Sequence, residues 1–215
     1  MNPPTSPTWQ DWSLPGEPFR LSAVEVGGVD WDQHLPQDAC DRLARFRDSQ
    51  ARARAGASEW LKACWLPEQL GVDQVDMRPG PNGKPMLSDG LSSWGFNLSH
   101  AGAYAVAGLV PEGAIGVDLE SSTRKADIHR LARRVFSGPE QQRVREGGRE
   151  AFFLLWSLKE ALLKALGCGW ADGAVQQQTR LLPVAWQKEP STGAELWSRQ
   201  ILGGTYVLSV ALLRR

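Results

Sequence analysis

Two carboxylates lie close together in the segment GVDLE, residues 116–120. Asp118 and Glu120 are two positions apart, and on a β-strand this spacing points both side chains to the same face. Carboxylates held this close repel each other unless a positive charge lies between them. Mg²⁺ is usually held by one or two protein carboxylates together with water and substrate phosphates. The pair by itself therefore has two interpretations: a strand end whose two acids face solvent, or a Mg²⁺ site.

A second group of charges interrupts the apolar, helix-like segment WSLKEALLKALGCG, residues 156–169. Ser157, Glu160 and Lys164 fall at i, i+3 and i+7 and form one polar stripe, with Lys159 at its edge. An exposed ion pair between Glu160 and Lys164 would stabilise a helix by only about 0.2–0.5 kcal/mol. That pair would not explain why the rest of the segment is apolar. A stripe that faces a cleft and adds a third carboxylate to the metal site explains both features.

Other polar residues carry weaker signals. NLSH supplies Ser99 and His100, but neighbours on a strand point to opposite faces, so they do not form a nucleophile and its base. A single histidine is most often only hydrogen-bonded, and Lys84 in NGKP has the alternative of a solvated turn lysine. The arginines and lysine of residues 42–62 either form a solvated basic face or bind phosphates.

Strands and helices must position these residues, and their order repeats. Strands are expected at 19–26, 94–110 and 114–120, helices at 35–71, a hairpin at 75–88, helices at 127–166 with breaks near SGPE and GG, and strands at 178–186 and 195–213. Both halves therefore pass from strand to helices and back to strands. Helices flanking sheets in an α+β protein follow from this order.

The two halves also share a register. The only tyrosines, in GAYAVAGLV (102–110) and GTYVLSVAL (204–212), are 102 residues apart, and the same offset aligns WLKA (60–63) with LLKA (162–165). The register favours two related lobes, at 18–113 and 114–215, behind a loose Pro-rich leader at 1–17. Chance similarity between short apolar segments is the alternative.

Composition excludes several classes. The 24 basic and 24 acidic residues cancel, so no net field favours nucleic acid or a membrane surface as a partner. The start of the chain lacks a signal-peptide pattern, and no apolar run is long enough to span a bilayer. The three cysteines are odd in number and widely spaced, which indicates neither a disulfide framework nor a zinc site. A cytoplasmic location fits best.

Together, GVDLE and WSLKEALLKALGCG resemble the paired signatures of the 4′-phosphopantetheinyl transferase superfamily. NGKP (82–85), FNLSHAG (96–102) and FSGPE (136–140) resemble further motifs in the family's order, so the resemblance covers about residues 82–170. The length and possible duplication look like the Sfp-type. This implies an α+β fold of two pseudo-symmetric lobes in one chain, each with a small antiparallel sheet packed on helices, and a monomer.

The resemblance also implies an activity. The family transfers the phosphopantetheine arm of coenzyme A to a serine of an apo acyl or peptidyl carrier protein and releases 3′,5′-ADP, with Mg²⁺. By resemblance, Asp118, Glu120 and Glu160 would hold Mg²⁺. Lys164 would contact the pyrophosphate, and Glu160 would take the proton of the carrier serine directly or through water.

The expected coenzyme A contacts are distributed over both lobes. Ser99 and His100 would contact its phosphates, while Asn97 would brace the turn. The backbone around three residues would border the adenine: Gly83, Lys84 and Pro85. Lys159 would be either a further phosphate contact or a brace.

The 3′-phosphate site is expected among the basic residues of the first half, with Arg42 and Arg54 as the best placements. The family's first-half helix usually carries an arginine-rich run, whereas this chain reads RARAGASEWLK, with Glu59 and Lys62 near the expected arginines. This departure makes the phosphate contacts the least specific part of the match.

Two alternatives belong to other functional classes. The first is a non-catalytic module that binds coenzyme A or a carrier protein and keeps the fold. The second is a different Mg²⁺-dependent enzyme that transfers phosphate or cleaves phosphodiesters, because clustered carboxylates and a lysine serve that chemistry generally.

Overall fold

The computed structural model describes residues 6–88, 90–170 and 180–214. Its described part contains two four-stranded sheets and one two-stranded sheet, all antiparallel. Helices pack on one face of each large sheet. The predicted α+β class is confirmed.

The first sheet carries its strands in the order β1-β2-β6-β5, and a helical layer covers one of its faces. Its strands are β1 (Trp9–Asp11), β2 (Arg20–Glu25), β5 (Gly95–Ala101) and β6 (Tyr104–Val110). The helices are α1 (Gln37–Leu43), α2 (Ser49–Trp60), a π-helical turn (Leu61–Trp65) and α3 (Leu66–Leu70). The predicted hairpin is β3 (Met77–Pro79) with β4 (Pro85–Leu87), joined through a 3₁₀ turn at Pro81–Gly83.

The second sheet carries its strands in the order β7-β10-β9-β8. Its strands are β7 (Ala114–Ser121), β8 (Trp186–Lys188), β9 (Glu195–Ile201) and β10 (Tyr206–Leu213). Helices α4 (Ile128–Val135) and α5 (Gly138–Leu166) precede β8, and α5 packs across the sheet. Residues 180–185, predicted as part of a strand, are irregular, and pairing starts only at Trp186.

The two sheets share a strand order. In the first sheet β6 lies between β2 and β5, and in the second sheet β10 lies between β7 and β9. In both groups of three, the strand that comes last in the chain lies in the middle. The two tyrosines of the predicted register, Tyr104 and Tyr206, each begin the central strand of a sheet. Their rings pack edge to face with centroids 5.6 Å apart. The two halves therefore repeat one topology, as the pseudo-symmetric fold class predicted.

The described part of the predicted loose leader is packed against both sheets. β1 pairs with β2, and Ser13 accepts a hydrogen bond from Leu21 N at 2.9 Å. Farther along, Trp197 of β9 donates its indole N–H to Glu17 at 2.9 Å. The frequency of proline indicated a loose segment. However, β1 pairs with the next strand, and Glu17 bonds to a residue 180 positions away, so neither contact is visible as a local pattern.

Helix α5 has strong local end signals. Ser137 and Glu140 form a capping box at its start, and Gly167 ends it in the left-handed conformation. The predicted break at GG is present as Gly148, whose φ of 57° and ψ of −137° interrupt the helix. The C-terminal part of α5 lies directly on β7, because a Cβ on Gly116 would come within 2.0 Å of Ala161 O.

The sheets meet where edge strand β5 approaches edge strand β7. Asn97 Oδ1 accepts a hydrogen bond from Val117 N at 2.8 Å, and Ser99 Oγ accepts one from Leu119 N at 3.1 Å. Asn97 was predicted to brace a turn, but it lies within β5 and braces the backbone of β7 instead. The side chains of Asn97 and Ser99 thus accept hydrogen bonds from backbone N–H groups of β7 that a neighbouring strand would otherwise accept.

Among the described residues, none of the helices has the length and continuous apolar character needed to cross a lipid bilayer.

Candidate active site

A cavity of about 410 Å³ lies where α5, β7 and β5 meet. Ser58 of α2 lines one side of it. Six residues predicted from the sequence line the same cavity: Ser99, His100, Asp118, Glu120, Glu160 and Lys164. The fold therefore brings together groups that are up to 65 residues apart in the chain, as the hydrogen bond between Ser99 and Lys164 shows.

Lys164 is the centre of a polar network at the cavity wall. Its Nζ donates to Asp118 Oδ1 at 2.7 Å, to Ser99 Oγ at 3.1 Å and to Val117 O at 3.0 Å. Ser99 in turn donates to Asp118 Oδ1 at 3.3 Å. Asp118 is 4% exposed, so the ammonium group supplies the positive charge that a buried carboxylate requires.

The polar stripe of α5 faces β7. Ser157 donates to Asp118 O at 3.3 Å, and Lys164 bonds to the side chain of the same residue. The i,i+4 pair between Glu160 and Lys164 that would have explained the stripe locally is not among the ion pairs of the described residues. The stripe is thus the contact face of the helix with the strand and the cavity.

Glu120 lies beside Asp118 on β7 and is held by two donors. Trp156 Nε1 donates to its Oε1 at 2.8 Å, and Arg124 contacts its Oε2 at 3.0 Å. Burial, followed by the negative charge of Asp118, raises the pKa of Glu120 to about 7. The two side chains therefore line the same cavity from one strand, as their spacing predicted.

Glu160 approaches the same cavity from α5. Trp170 Nε1 donates to its Oε1 at 2.5 Å. Burial raises the pKa of Glu160; the hydrogen bond from Trp170 opposes that shift, and the charge of Asp118 adds to it. Three acidic groups thus act on one another across the cavity.

The three carboxylates suit a hard divalent cation by their chemistry. They offer only oxygen donors, and their negative charges repel one another. Asp118 Oδ2 is buried and forms no hydrogen bond within the described chain. However, no three acidic, histidine or cysteine side chains of the described residues are close enough together to form a ready metal site. The chemistry of the oxygen donors therefore fits Mg²⁺. In this structure the same carboxylates bond to Lys164, to Arg124 and to the indoles of Trp156 and Trp170.

Lys159 points away from this cavity. It is 0% exposed, and its Nζ donates to Glu140 Oε2 at 2.7 Å, above the ring of Phe136. Burial lowers its pKa, and the Glu140 carboxylate opposes that shift. Glu140 also accepts from Ser137 N in the capping box. The geometry is that of the brace, which was one of the two roles left open.

His100 lies next to Ser99 at the cavity mouth. Desolvation lowers its pKa most, and the positive charges of Arg54 and Lys164 lower it further. Arg54 reaches this region from α2 and lines an adjoining depression with Ala103. The positive charges of Arg54 and Lys164 therefore both act on a histidine that lines the carboxylate cavity.

Arg42, the other predicted phosphate contact, occupies a different environment. Its guanidinium bonds to Asp38 at 2.7 Å and to Glu59 at 2.8 Å, and Lys62 bonds to Glu59 at 2.6 Å. Glu59 and Lys62, the departures from the family pattern, thus form an ion-pair cluster with Arg42. Of the two predicted arginines, Arg54 is the one beside the cavity.

The NGKP turn lies at the end of α5. Lys84 Nζ donates to Ile115 O at 3.2 Å and Ala165 O at 3.1 Å, and Asn82 donates to Gly167 O at 2.8 Å. Burial lowers the pKa of Lys84 to about 8. Lys84 and Pro85 line a separate cavity of about 190 Å³ that shares no lining residue with the carboxylate cavity.

Sequence reasoning missed four contributors to the site: Ser58, Arg124, Trp156 and Trp170. Trp156 begins the segment that carried the polar stripe and Trp170 follows it, but an aromatic residue in or beside an apolar helix usually indicates packing. Arg124 lies beyond the end of β7, where the strand spacing no longer predicts its direction, and Ser58 lies on another helix.

Comparison with known proteins shows which family the sequence resembles. Residues 114–209 match the family model of the 4′-phosphopantetheinyl transferase superfamily. Over 168 residues the chain is 35% identical to the 4′-phosphopantetheinyl transferase HetI of Nostoc sp., covering 74% of this chain and 69% of HetI. Over 169 residues it is 42% identical to a candidate 4′-phosphopantetheinyl transferase of Synechocystis sp. (slr0495), covering 76% of this chain.

A third relative comes from an animal. The chain is 30% identical over 163 residues to the L-aminoadipate-semialdehyde dehydrogenase-phosphopantetheinyl transferase of Xenopus laevis, covering 68% of this chain. The matches span 63% of the Synechocystis protein and 54% of the Xenopus protein. The similarity to HetI extends over more than two thirds of both chains. The residues matched by the family model include the strand and the helix that form the cavity. This chain therefore belongs to the 4′-phosphopantetheinyl transferase superfamily.

Proposed function

We propose that this protein is an Sfp-type 4′-phosphopantetheinyl transferase with holo-carrier-protein synthase activity. It would act as a monomer and transfer the phosphopantetheine group of coenzyme A to a serine of an apo acyl or peptidyl carrier protein, releasing 3′,5′-ADP. The observation that carries the proposal is the cavity in which Glu160 and Lys164 of α5 face Asp118 and Glu120 of β7. Two repeated sheets in one chain support the Sfp type.

In this proposal the acidic residues have distinct tasks. Asp118, Glu120 and Glu160 would hold Mg²⁺, which when bound would neutralise charge on the pyrophosphate. Glu160 is the acid that reaches the cavity from the helix side, and its raised pKa suits a group that accepts a proton from the carrier serine.

The basic groups would bind the nucleotide. Lys164 uses its three N–H donors at the cavity wall, and with coenzyme A bound it would exchange one of these hydrogen bonds for a bond to the pyrophosphate and the leaving phosphate. Ser99 and His100 would contact coenzyme A phosphates, and Arg54 would contact the 3′-phosphate. The backbone at Gly83, Lys84 and Pro85 would border the adenine, next to the separate cavity that Lys84 and Pro85 line.

The test is a transfer assay with defined components. Purified protein, MgCl₂ and coenzyme A are incubated with a panel of apo acyl and peptidyl carrier proteins, and intact mass and 3′,5′-ADP are measured. We expect one phosphopantetheine mass on at least one carrier, with equal release of 3′,5′-ADP. A carrier whose serine is replaced by alanine is the matched control.

The same assay separates the alternatives. Binding of coenzyme A or carrier protein without any mass gain would favour the non-catalytic module. Nucleotide release without a carrier protein would favour a different phosphate-cleaving enzyme.

A further inference from the structure

Two tryptophan side chains form a stacked pair beside the carboxylate cavity. Trp156 lies on α5, and Trp170 lies just beyond its C-terminus, with ring centroids 4.9 Å apart and planes inclined by 29°. The left-handed conformation of Gly167 ends the helix between the two residues. The pair therefore joins the helix to the segment that leaves it.

Each indole of the pair donates to a different glutamate of the cavity. Trp156 Nε1 donates to Glu120 Oε1 at 2.8 Å, and Trp170 Nε1 donates to Glu160 Oε1 at 2.5 Å. Glu120 comes from β7 and Glu160 from α5, so one aromatic stack holds acids from two elements. Packing alone would require the two aromatic rings, but it would not require both N–H groups to point at carboxylates.

The bonds restrict the carboxylates in a useful way. An indole has a single donor, and a carboxylate has two oxygens, so the bond to Oε1 fixes the orientation of the group and leaves Oε2 for another partner. At Glu120 that second oxygen contacts Arg124 at 3.0 Å. Outer hydrogen bonds to ligating side chains typically change metal affinity by about 10–100-fold.

We propose that Trp170 is a positioning residue: its indole N–H orients the Glu160 carboxylate for a divalent cation, and its stack on Trp156 couples that orientation to Glu120. The inference rests on the proposed function, because that function gives the glutamates their cation. It goes further by assigning the orientation of two acids to one indole pair and by naming a residue outside the helix.

The test measures cation binding directly, without catalysis. MgCl₂ is titrated into protein saturated with coenzyme A, in the absence of carrier protein, and the dissociation constant is measured by calorimetry. Trp170→Phe keeps an aromatic ring and removes the N–H, whereas Trp170→His keeps a ring N–H. We expect the Phe variant to bind Mg²⁺ about 10-fold or more weakly and the His variant to recover part of that loss.

Trp186→Phe is the matched control, because Trp186 is 55% exposed on β8 and contributes nothing to the cavity. Melting temperatures are measured for all variants. If Trp170→Phe unfolds at assay temperature, the comparison of the His variant with the wild type decides. Equal Mg²⁺ affinity in the Phe variant and wild type, a His variant as weak as a folded Phe variant, or a wild type that binds no Mg²⁺ would overturn the inference.

The transfer assay keeps the two claims separate. A wild type that binds Mg²⁺ in a Trp170-dependent way but modifies no carrier would refute the proposed function and leave the positioning role intact. A wild type that modifies carriers, with Mg²⁺ affinity independent of Trp170, would refute the positioning role alone.

Discussion

At the residue scale, the cavity depends on charges that satisfy one another. Lys164 compensates the buried Asp118, and Arg124 and an indole hold Glu120. Removal of one member leaves its partner buried without its counter-charge, which is costly. Conservative changes that keep the size of the side chain therefore test function better than truncations do.

Glu160→Gln and Lys164→Met are each expected to lower turnover by about 100-fold or more, because each removes a charge that faces the reacting groups in the proposed mechanism. Initial rates of carrier modification check this expectation. Exposed residues provide the controls: Glu146→Gln on the same helix and Lys188→Met on β8 should keep the wild-type rate. Near-normal rates in a folded Glu160 or Lys164 variant would refute the assigned role.

At the element scale, the position of α5 sets the distance between the two halves of the site. The helix lies on β7 because Gly116 has no side chain, and the NGKP turn caps its C-terminal carbonyl groups through Lys84 and Asn82. The buried pair of Lys159 and Glu140 ties the middle of the helix to its capped start. Three contacts along one helix thus determine where Glu160 and Lys164 lie.

Gly116→Ala is expected to destabilise the fold by about 1–3 kcal/mol and to reduce turnover, because the new Cβ would push α5 away from β7. Urea unfolding and transfer rates measure the two effects. Gly138→Ala is the control, since a Cβ there meets nothing within 4 Å. An unchanged stability of the Gly116 variant would show that the helix is not in tight contact with the strand.

The pKa of Lys84 predicts a pH dependence of stability. Burial lowers it from 10.5 to about 8 in the folded protein, so between these values the unfolded chain binds more protons than the folded chain. Lys84 should therefore make the free energy of unfolding rise as pH rises from about 8 to 10.5. Below pH 8 the lysine is charged in both states, and its burial destabilises the folded protein by the full amount. Urea titrations of wild type and Lys84→Met across this range measure the difference in slope. Equal slopes would contradict the expectation.

At the scale of the whole molecule, the two sheets share one apolar layer. Leu21 and Val106 of the first sheet pack in the same cluster as Val117, Leu208 and Val210 of the second. The proposed lobe boundary between residues 113 and 114 therefore separates two repeats of topology, while the core continues across it. A shared core couples the stability of both repeats.

We expect a single cooperative unfolding transition for the full chain. Urea unfolding followed by tryptophan fluorescence and by far-ultraviolet circular dichroism should give coincident curves, because neither sheet can lose the shared layer without exposing the other. Two separated transitions would show that the repeats are independent domains.

Much of the fold and the site was predictable because it depends on short-range patterns. The period-two spacing of Asp118 and Glu120 placed both acids on one face, and the i, i+3, i+7 stripe identified the side of α5 that meets them. The capping box at Ser137 and the glycine break at Gly148 are also local signals.

The sequence by itself determined the element order, the acidic strand and the polar face of the helix, since each of these is set by residues within a few positions of one another. Only the tertiary structure decided partners. Lys159 and Lys164 lie on one helix, yet the first pairs with Glu140 in the core and the second with Asp118 at the cavity. Asn97 braces β7 and Trp170 holds Glu160 for the same reason: a buried polar group bonds to whichever complementary group the fold places beside it, and sequence distance does not limit that choice.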